Sequence, residues 1–307
     1  MKITLLILIS FISFFIFSQE GDKVFESIKL DTLTILARSE FDTKLFIQRI
    51  KEDTTFYQAF KNLRFYPHHA NGNLWVYNKR EKEKASEQLD VTQYLDNLLM
   101  WQDHKIVSSS GKLRTKKGKY RFTTAEIYYN TFFPKDTMTV STTITKIKDE
   151  SIGNSKRARY KHNLKLLIFN PGEKISGIPI IGKKMSIFDD EMVEYYDYKV
   201  SIISYNGIKC YQFSCIAKPE YKEKKTVIKH LVTVFNKETM AVLNREYSMR
   251  YNSILFQFEV NIKVTNKLEN GIIYPVLINY SGYWDIPFKT QEAIAFTIKN
   301  SDYKLMD

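Results

Sequence analysis

The sequence is poor in the residues that mark disulfide-rich, collagen-like and metal-binding proteins. Its 307 residues include 2 cysteines, 7 prolines, 11 glycines and 5 histidines. In a regular strand, Cys210 and Cys215 would lie on opposite faces and about 16 Å apart, at ~3.3 Å per residue. A disulfide needs Cα atoms within roughly 7 Å of each other. We therefore expect two free thiols and a fold held by an apolar core, which a hydrophobic fraction of 44% permits.

The motifs of common catalytic and metal sites are also missing. The chain has no H-E-x-x-H, no G-x-S-x-G and no glycine-rich phosphate loop. The adjacent His68 and His69 would point apart in a strand, whereas zinc needs three or four converging ligands. The run Asp189, Asp190 and Glu191 is more typical of a solvated loop than of an acid–base pair. These patterns offer no catalytic motif and no metal site, and no cofactor is expected.

The N-terminus has the pattern of an export signal. Lys2 precedes an apolar stretch over residues 3–17, and Ser18 offers a small residue for cleavage. The stretch is shorter than the roughly 20 residues of a comfortable membrane span, although an uncleaved anchor is the alternative. No cysteine follows it, so lipid attachment there is not expected. These features predict a signal peptide over residues 1–18 and a periplasmic or secreted protein.

The chain is basic, with a formal charge of +12 and a pI near 9.3. One cluster of basic residues comprises Lys112, Arg114, Lys116, Lys117, Lys119 and Arg121. A second comprises Lys156, Arg157, Arg159 and Lys161. Export argues against nucleic acid as the partner and favours an anionic membrane surface, an acidic glycan or an envelope protein. The alternative is that both clusters are solvated loops that keep the protein soluble.

Residues 22–105 show helical or irregular patterns. Phe56, Phe60 and Leu63 share one face of a helix that would begin near Asp53 or Thr54. A further amphipathic helix is predicted from apolar residues that repeat at helical spacing, namely Val91, Tyr94, Leu95 and Leu98.

From residue 120 to residue 300 the pattern changes to period two. Strict alternation over residues 254–264 predicts a strand, and Asn206-Gly207 and Asn270-Gly271 are hairpin turns. Pro275 favours a sheet edge or a bulge in the strand after the second turn. We therefore predict a mainly β fold with N-terminal helices, an α+β class with a curved, half-barrel-like antiparallel sheet, in one domain over residues 19–307.

Five segments of the C-terminal half resemble the outer-membrane lipoprotein-sorting and lipoprotein-carrier, or LolA-like, superfamily. They are NLKLLIFNPGE (163–173), GIPIIGKKMSIFDDEM (177–192), NGIKCYQFSCIAKPE (206–220), TVFNKETMAVLNREYSM (233–249) and NGIIYPVLINYSGYWD (270–285). The resemblance is one of strands and turns over residues 163–298, and residues 22–149 do not match the family's first helix and strands. It implies a non-enzymatic carrier of lipoproteins or lipids.

The leading hypothesis is a carrier that holds a lipid or lipoprotein acyl chain in a concave apolar cavity. The predicted lining alternates along two strands: Phe256, Phe258, Val260, Tyr274, Val276 and Ile278. The first alternative is a cell-envelope interaction or scaffold module with a fully packed core and a basic binding surface. A hydrolase assembled from scattered residues is the second alternative.

Overall fold

The computed structural model describes residues 46, 48–50, 52–140, 183–221, 225–253, 257–285 and 291–305. Several predictions fall outside these residues. They are the signal peptide over 1–18, the second basic cluster, the resemblance segment 163–173 and the cavity residue Phe256. Among the described residues, no helix is both long and apolar enough to cross a membrane.

The described residues form one open antiparallel sheet in the order β4-β3-β2-β1-β11-β10-β9-β8-β7-β6-β5. The strands are β1 His68–Tyr77, β2 Glu83–Asp96, β3 Leu99–Gly111, β4 Met138–Thr139, β5 Tyr196–Tyr205, β6 Ile208–Ala217, β7 Ile228–Asn236, β8 Val242–Asn252, β9 Gln257–Glu269, β10 Ile272–Asp285 and β11 Glu292–Ser301. Sequential hairpins build the two ends of the sheet. The pairing of β1 with β11 joins them. The predicted mainly β fold is confirmed.

Two helices with more than two turns accompany the sheet in the described part of the chain, α1 Thr55–Phe65 and α2 Thr123–Phe132. A 3-10 turn, Lys183–Met185, and a short helix, α3 Asp190–Val193, precede β5. The predicted helix after Asp53 is confirmed as α1, since Phe56, Phe60 and Leu63 are buried. Helix α2 was not predicted, because it lies inside the region assigned to the sheet.

The prediction of a helical or irregular segment over residues 22–105 is wrong from β1 onward. Residues 68–111 form three strands, and Val91, Tyr94 and Leu95 lie on β2. Along β2 the buried positions alternate with a period of two, but two of them are Glu87 and Gln93. Polar side chains on the buried face hid the alternation, and the remaining apolar residues matched a helical spacing by chance.

One face of the sheet, here called the inner face, carries the main core. The cross-strand row Leu74, Phe296, Tyr280, Ile262 and Tyr247 runs over five neighbouring strands, and every member is buried. Both helices lie on this face. The Tyr128 ring of α2 is 4.8 Å from that of Phe296, and the Arg245 guanidinium of β8 is 4.3 Å from the Phe56 ring of α1. The opposite face, the outer face, is mostly polar.

Candidate functional site

Three of the predicted cavity residues lie on the inner face, within the main core. Phe258 is 1% exposed, and Val260 and Ile278 are 0% exposed. The Phe258 ring stacks on Trp284 at 4.8 Å. Side chains buried to this degree are out of reach of solvent, so a ligand would contact them only after the residues that pack on this face had moved.

A bulge changes the predicted lining on β10. Pro275 pairs with Asn266 and Leu277 pairs with Thr265, so Val276 is the extra residue. The alternation shifts there, and the register places Tyr274 on the face opposite to Ile278. The prediction that Tyr274, Val276 and Ile278 share one face is therefore wrong, whereas the bulge predicted from Pro275 is confirmed.

Tyr274 instead makes contacts at the end of the sheet. Its hydroxyl donates a hydrogen bond to the Glu269 carboxylate, and its ring lies 4.1 Å from that of Tyr303. Tyr303 in turn stacks on His68 at 4.7 Å. These contacts give Tyr274 a packing role at the point where β11 ends.

The first basic cluster forms a small hairpin between β3 and α2. Arg114 bridges to Tyr120, the Thr115 N–H donates to the Lys119 carbonyl at 2.8 Å, and Gly118 has φ +75°, as the turn requires. The tip exposes three lysines: Lys116, Lys117 and Lys119. Lys112 and Arg121 are also exposed. Their contact with an anionic surface stays a prediction for these five residues.

Arg114 does not share that role. Its guanidinium donates two hydrogen bonds to the Glu87 carboxylate, at 2.7 and 2.8 Å, and lies 4.9 Å from the rings of both Tyr120 and Tyr129. The Tyr129 hydroxyl donates to the same carboxylate at 2.6 Å. The prediction is corrected for Arg114, because it anchors the base of the hairpin to β2 and α2.

Some buried hydroxyls have no hydrogen-bond partner in the part of the chain that the structure describes. The Tyr128 hydroxyl and the Thr131 hydroxyl of α2 have no hydrogen-bond partner among the described residues, and neither does the Tyr196 hydroxyl of β5. Burial raises the pKa of the Tyr128 and Tyr196 hydroxyls, so both stay protonated. Each unpaired buried hydroxyl costs about 1–3 kcal/mol. The sequence gives no sign of these sites beyond the presence of tyrosines.

The acidic and histidine candidates are dispersed. Asp189, Asp190 and Glu191 are exposed around the start of α3. Among the described residues no three His, Cys, Asp or Glu side chains come close enough to hold a metal ion. Cys210 and Cys215 are buried and free on opposite faces of β6, as predicted.

The comparisons with known proteins return little. No family model matches the chain, and no curated protein matches it. Among solved structures, the chain is similar to a domain assigned to outer membrane lipoprotein sorting, from Vibrio parahaemolyticus. The identity is 11%, the match covers 83% of this chain and 92% of that one, and the TM-score is 0.26. The match names the family that the sequence resembles, but a superposition at this TM-score carries no argument about function.

Proposed function

We propose that the protein is a non-enzymatic, exported binder or carrier of a lipid or lipoprotein acyl chain. The chain would lie between the inner face and the helical cover, against Phe258, Val260 and Ile278. Burial of a sixteen-carbon chain would contribute on the order of 10 kcal/mol before costs, at ~0.8 kcal/mol per CH₂. No charged or catalytic group is needed for such binding.

The observation that carries the proposal is the kind of cover over the inner face. Helix α2 covers part of the sheet, since its Tyr128 ring packs against Phe296, and the unpartnered Tyr128 hydroxyl lies within that contact, beside Gly72. A buried hydroxyl without a partner regains hydrogen bonds to water when the helix moves away from the sheet. The free energy needed to separate helix and sheet is therefore lower than for a wholly apolar contact. An acyl chain would then replace the helix as the apolar partner of the sheet.

The test uses full-length protein purified from its own cell envelope. Native mass spectrometry should show a retained lipid mass, and the stripped protein should take up a fluorescent sixteen-carbon fatty acid. Phe258→Ala should change the Kd for this fatty acid at least fivefold, because the side chain lies at the proposed site.

Leu243→Ala is the matched control. Leu243 is equally well buried, but it belongs to a small core cluster with Ile203, Cys210 and Val234 away from the main core. It should destabilise the protein without changing the Kd. The absence of both a retained mass and fatty-acid uptake would contradict the proposal.

A second candidate is favoured by the close packing of Phe258, Val260 and Ile278. On this hypothesis the core is permanent and the exposed lysines of the basic hairpin bind an anionic membrane surface or an acidic envelope partner. Arg114 and Glu87 would hold the hairpin in a fixed position for that contact.

Vesicle sedimentation separates the two candidates. The stripped protein should bind phosphatidylglycerol vesicles more tightly than phosphatidylcholine vesicles, and less tightly as salt rises. Replacing Lys116, Lys117 and Lys119 together by alanine should abolish this preference. Replacing three exposed lysines elsewhere, Lys199, Lys209 and Lys299, removes the same charge and should not abolish it. Equal losses in both triple variants would contradict a specific role for the hairpin.

A further inference from the structure

A shallow groove crosses the outer face of the sheet, perpendicular to the strands. Its floor follows one cross-strand row in which most of the side chains are small. In order from β1 to β7 the row is Trp75, Ala295, Ser281, Asn261, Ser248 and His230. At ~4.8 Å between strands, the path from β1 to β8 is about 19 Å long. The groove is therefore long enough for a chain of several units.

Two rows with larger side chains flank this floor. One row is Asn73, Thr297, Asn279, Lys263 and Glu246. The other is Tyr77, Ala293, Tyr283, Glu259 and Arg250. Two depressions of about 240 Å³ each adjoin here, and Asn261, Ser281 and Ala295 line both. Asn261 and Ser281, in the middle of the floor, are exposed, so no residue that the structure describes covers these two positions.

The charges that border the groove are balanced. Lys263 Nζ lies 3.7 Å from the Glu246 carboxylate, and the Arg250 guanidinium lies 3.1 Å from that of Glu259. His230 Nδ1 shares a hydrogen bond of 2.8 Å with the Ser248 hydroxyl. A groove with paired charges and amide and hydroxyl groups suits a ligand that is polar but uncharged.

The sheet also restricts the class of ligand. β1, β8, β9, β10 and β11 each have a neighbouring strand on both sides, so their backbone groups are already paired. An extended peptide that crossed them would find no backbone partners and no deep apolar pockets for its side chains. Sugar hydroxyls match the side-chain amides and hydroxyls of the floor, and the rings of Tyr77 and Tyr283, which line one of the depressions, offer flat apolar surfaces.

We propose that this groove binds a neutral oligosaccharide, independently of any lipid on the inner face. The test is isothermal titration calorimetry of the stripped full-length protein. The probes are four neutral hexasaccharides, namely maltohexaose, cellohexaose, laminarihexaose and chitohexaose, with hexagalacturonate as the anionic probe. At least one neutral probe should bind with a saturable isotherm that salt changes little.

Ser281→Trp fills the floor and should weaken that binding at least tenfold. Ser214→Trp is the matched control, because Ser214 lies on the outer face of β6, beyond the groove. The Ser214→Trp variant should bind the neutral probe with the same affinity as the unsubstituted protein. The proposal is overturned if no neutral probe binds at millimolar concentration, if hexagalacturonate alone binds, or if Ser281→Trp binds like the control.

Discussion

Glu87 is a buried charge held by several hydrogen bonds on the inner face. It is buried on β2 and accepts hydrogen bonds from Arg114 and Tyr129. Burial by itself would raise the pKa of Glu87, but the hydrogen bonds from Arg114 and Tyr129 bring it below its usual value. A carboxyl with a lowered pKa in the folded state stabilises the protein above its unfolded pKa of about 4.3. That contribution to stability is lost as the pH falls through the pKa of Glu87 in the folded protein.

Arg114→Met should therefore lower the free energy of unfolding at pH 7 by about 3–5 kcal/mol, because it leaves a buried carboxylate without its partner. Urea unfolding measures the effect. The deficit should narrow as the pH falls, because a protonated Glu87 no longer needs a cation beside it. Lys117→Met, on the exposed tip of the same hairpin, should change stability by no more than about 0.5 kcal/mol. A deficit that is the same at pH 7 and pH 3 would contradict this account.

His68 gives a second pH dependence. Burial lowers its pKa to about 4, and its Nδ1 lies 2.9 Å from the Tyr66 carbonyl. In the unfolded protein His68 binds a proton below about pH 6.5, whereas in the folded protein it does so only near pH 4. The free energy of unfolding should therefore fall by roughly 3 kcal/mol between pH 6.5 and pH 4. His68→Phe keeps a ring against Tyr303 and should remove that part of the slope in urea unfolding. The Tyr66 carbonyl still accepts from Gln93 in the variant. Parallel slopes for the two proteins would refute the assignment.

At the scale of elements, the β2–β3 hairpin has an unfavourable residue in its turn. Asn97 and Leu98 have φ of +46° and +65°, a conformation that glycine and asparagine adopt more readily than leucine. Leu98 is also exposed, so it gains little from packing. Leu98→Gly should raise the free energy of unfolding by about 1 kcal/mol. Leu99→Gly, at a similarly exposed position inside β3, should lower it by about 1 kcal/mol. Opposite signs for the two variants are the expected result of urea unfolding.

The contact between α2 and β1 depends on the absence of a side chain at Gly72. A Cβ atom there would lie 2.5 Å from the Tyr128 hydroxyl and 2.7 Å from the Phe133 ring. Gly72→Ala should cost about 1–3 kcal/mol through this overlap. Tyr128→Phe removes the unpartnered hydroxyl, so it should be neutral or stabilising alone and should recover part of that cost in the double variant. Simple additivity in the double-mutant cycle would argue against the contact.

The elements differ in how far they could be predicted. The hairpins between β5 and β6 and between β9 and β10 were predicted because Asn206-Gly207 and Asn270-Gly271 interrupt clear alternation. β1 and β2 were missed because their buried positions include His68, Gly72 and Glu87, which do not read as a core. The predicted apolar face is present on β9. On β10 the bulge at Val276 places Tyr274 on the face opposite to Ile278, which the alternation alone does not predict. Local patterns also do not show which element covers a face.

At the scale of the whole molecule, stability should not depend on redox conditions. Cys210 and Cys215 are buried and free, and burial raises the pKa of both thiols. We expect the same thermal midpoint with and without dithiothreitol, and slow reaction of the native protein with Ellman's reagent. In urea two thiols should react at once. A lower midpoint in reductant would indicate a disulfide and contradict the structure.

The position of β11 bears on how the protein is made. Residues 68–139 carry β1 to β4, and among the described strands the only ladder that joins them to β5–β11 is the one between β1 and β11. A ribosome delivers that strand roughly 200 residues after β1, at about 5–20 residues per second. The early meander must therefore wait tens of seconds for the neighbour of β1, and the sheet is completed only once β11 has been made.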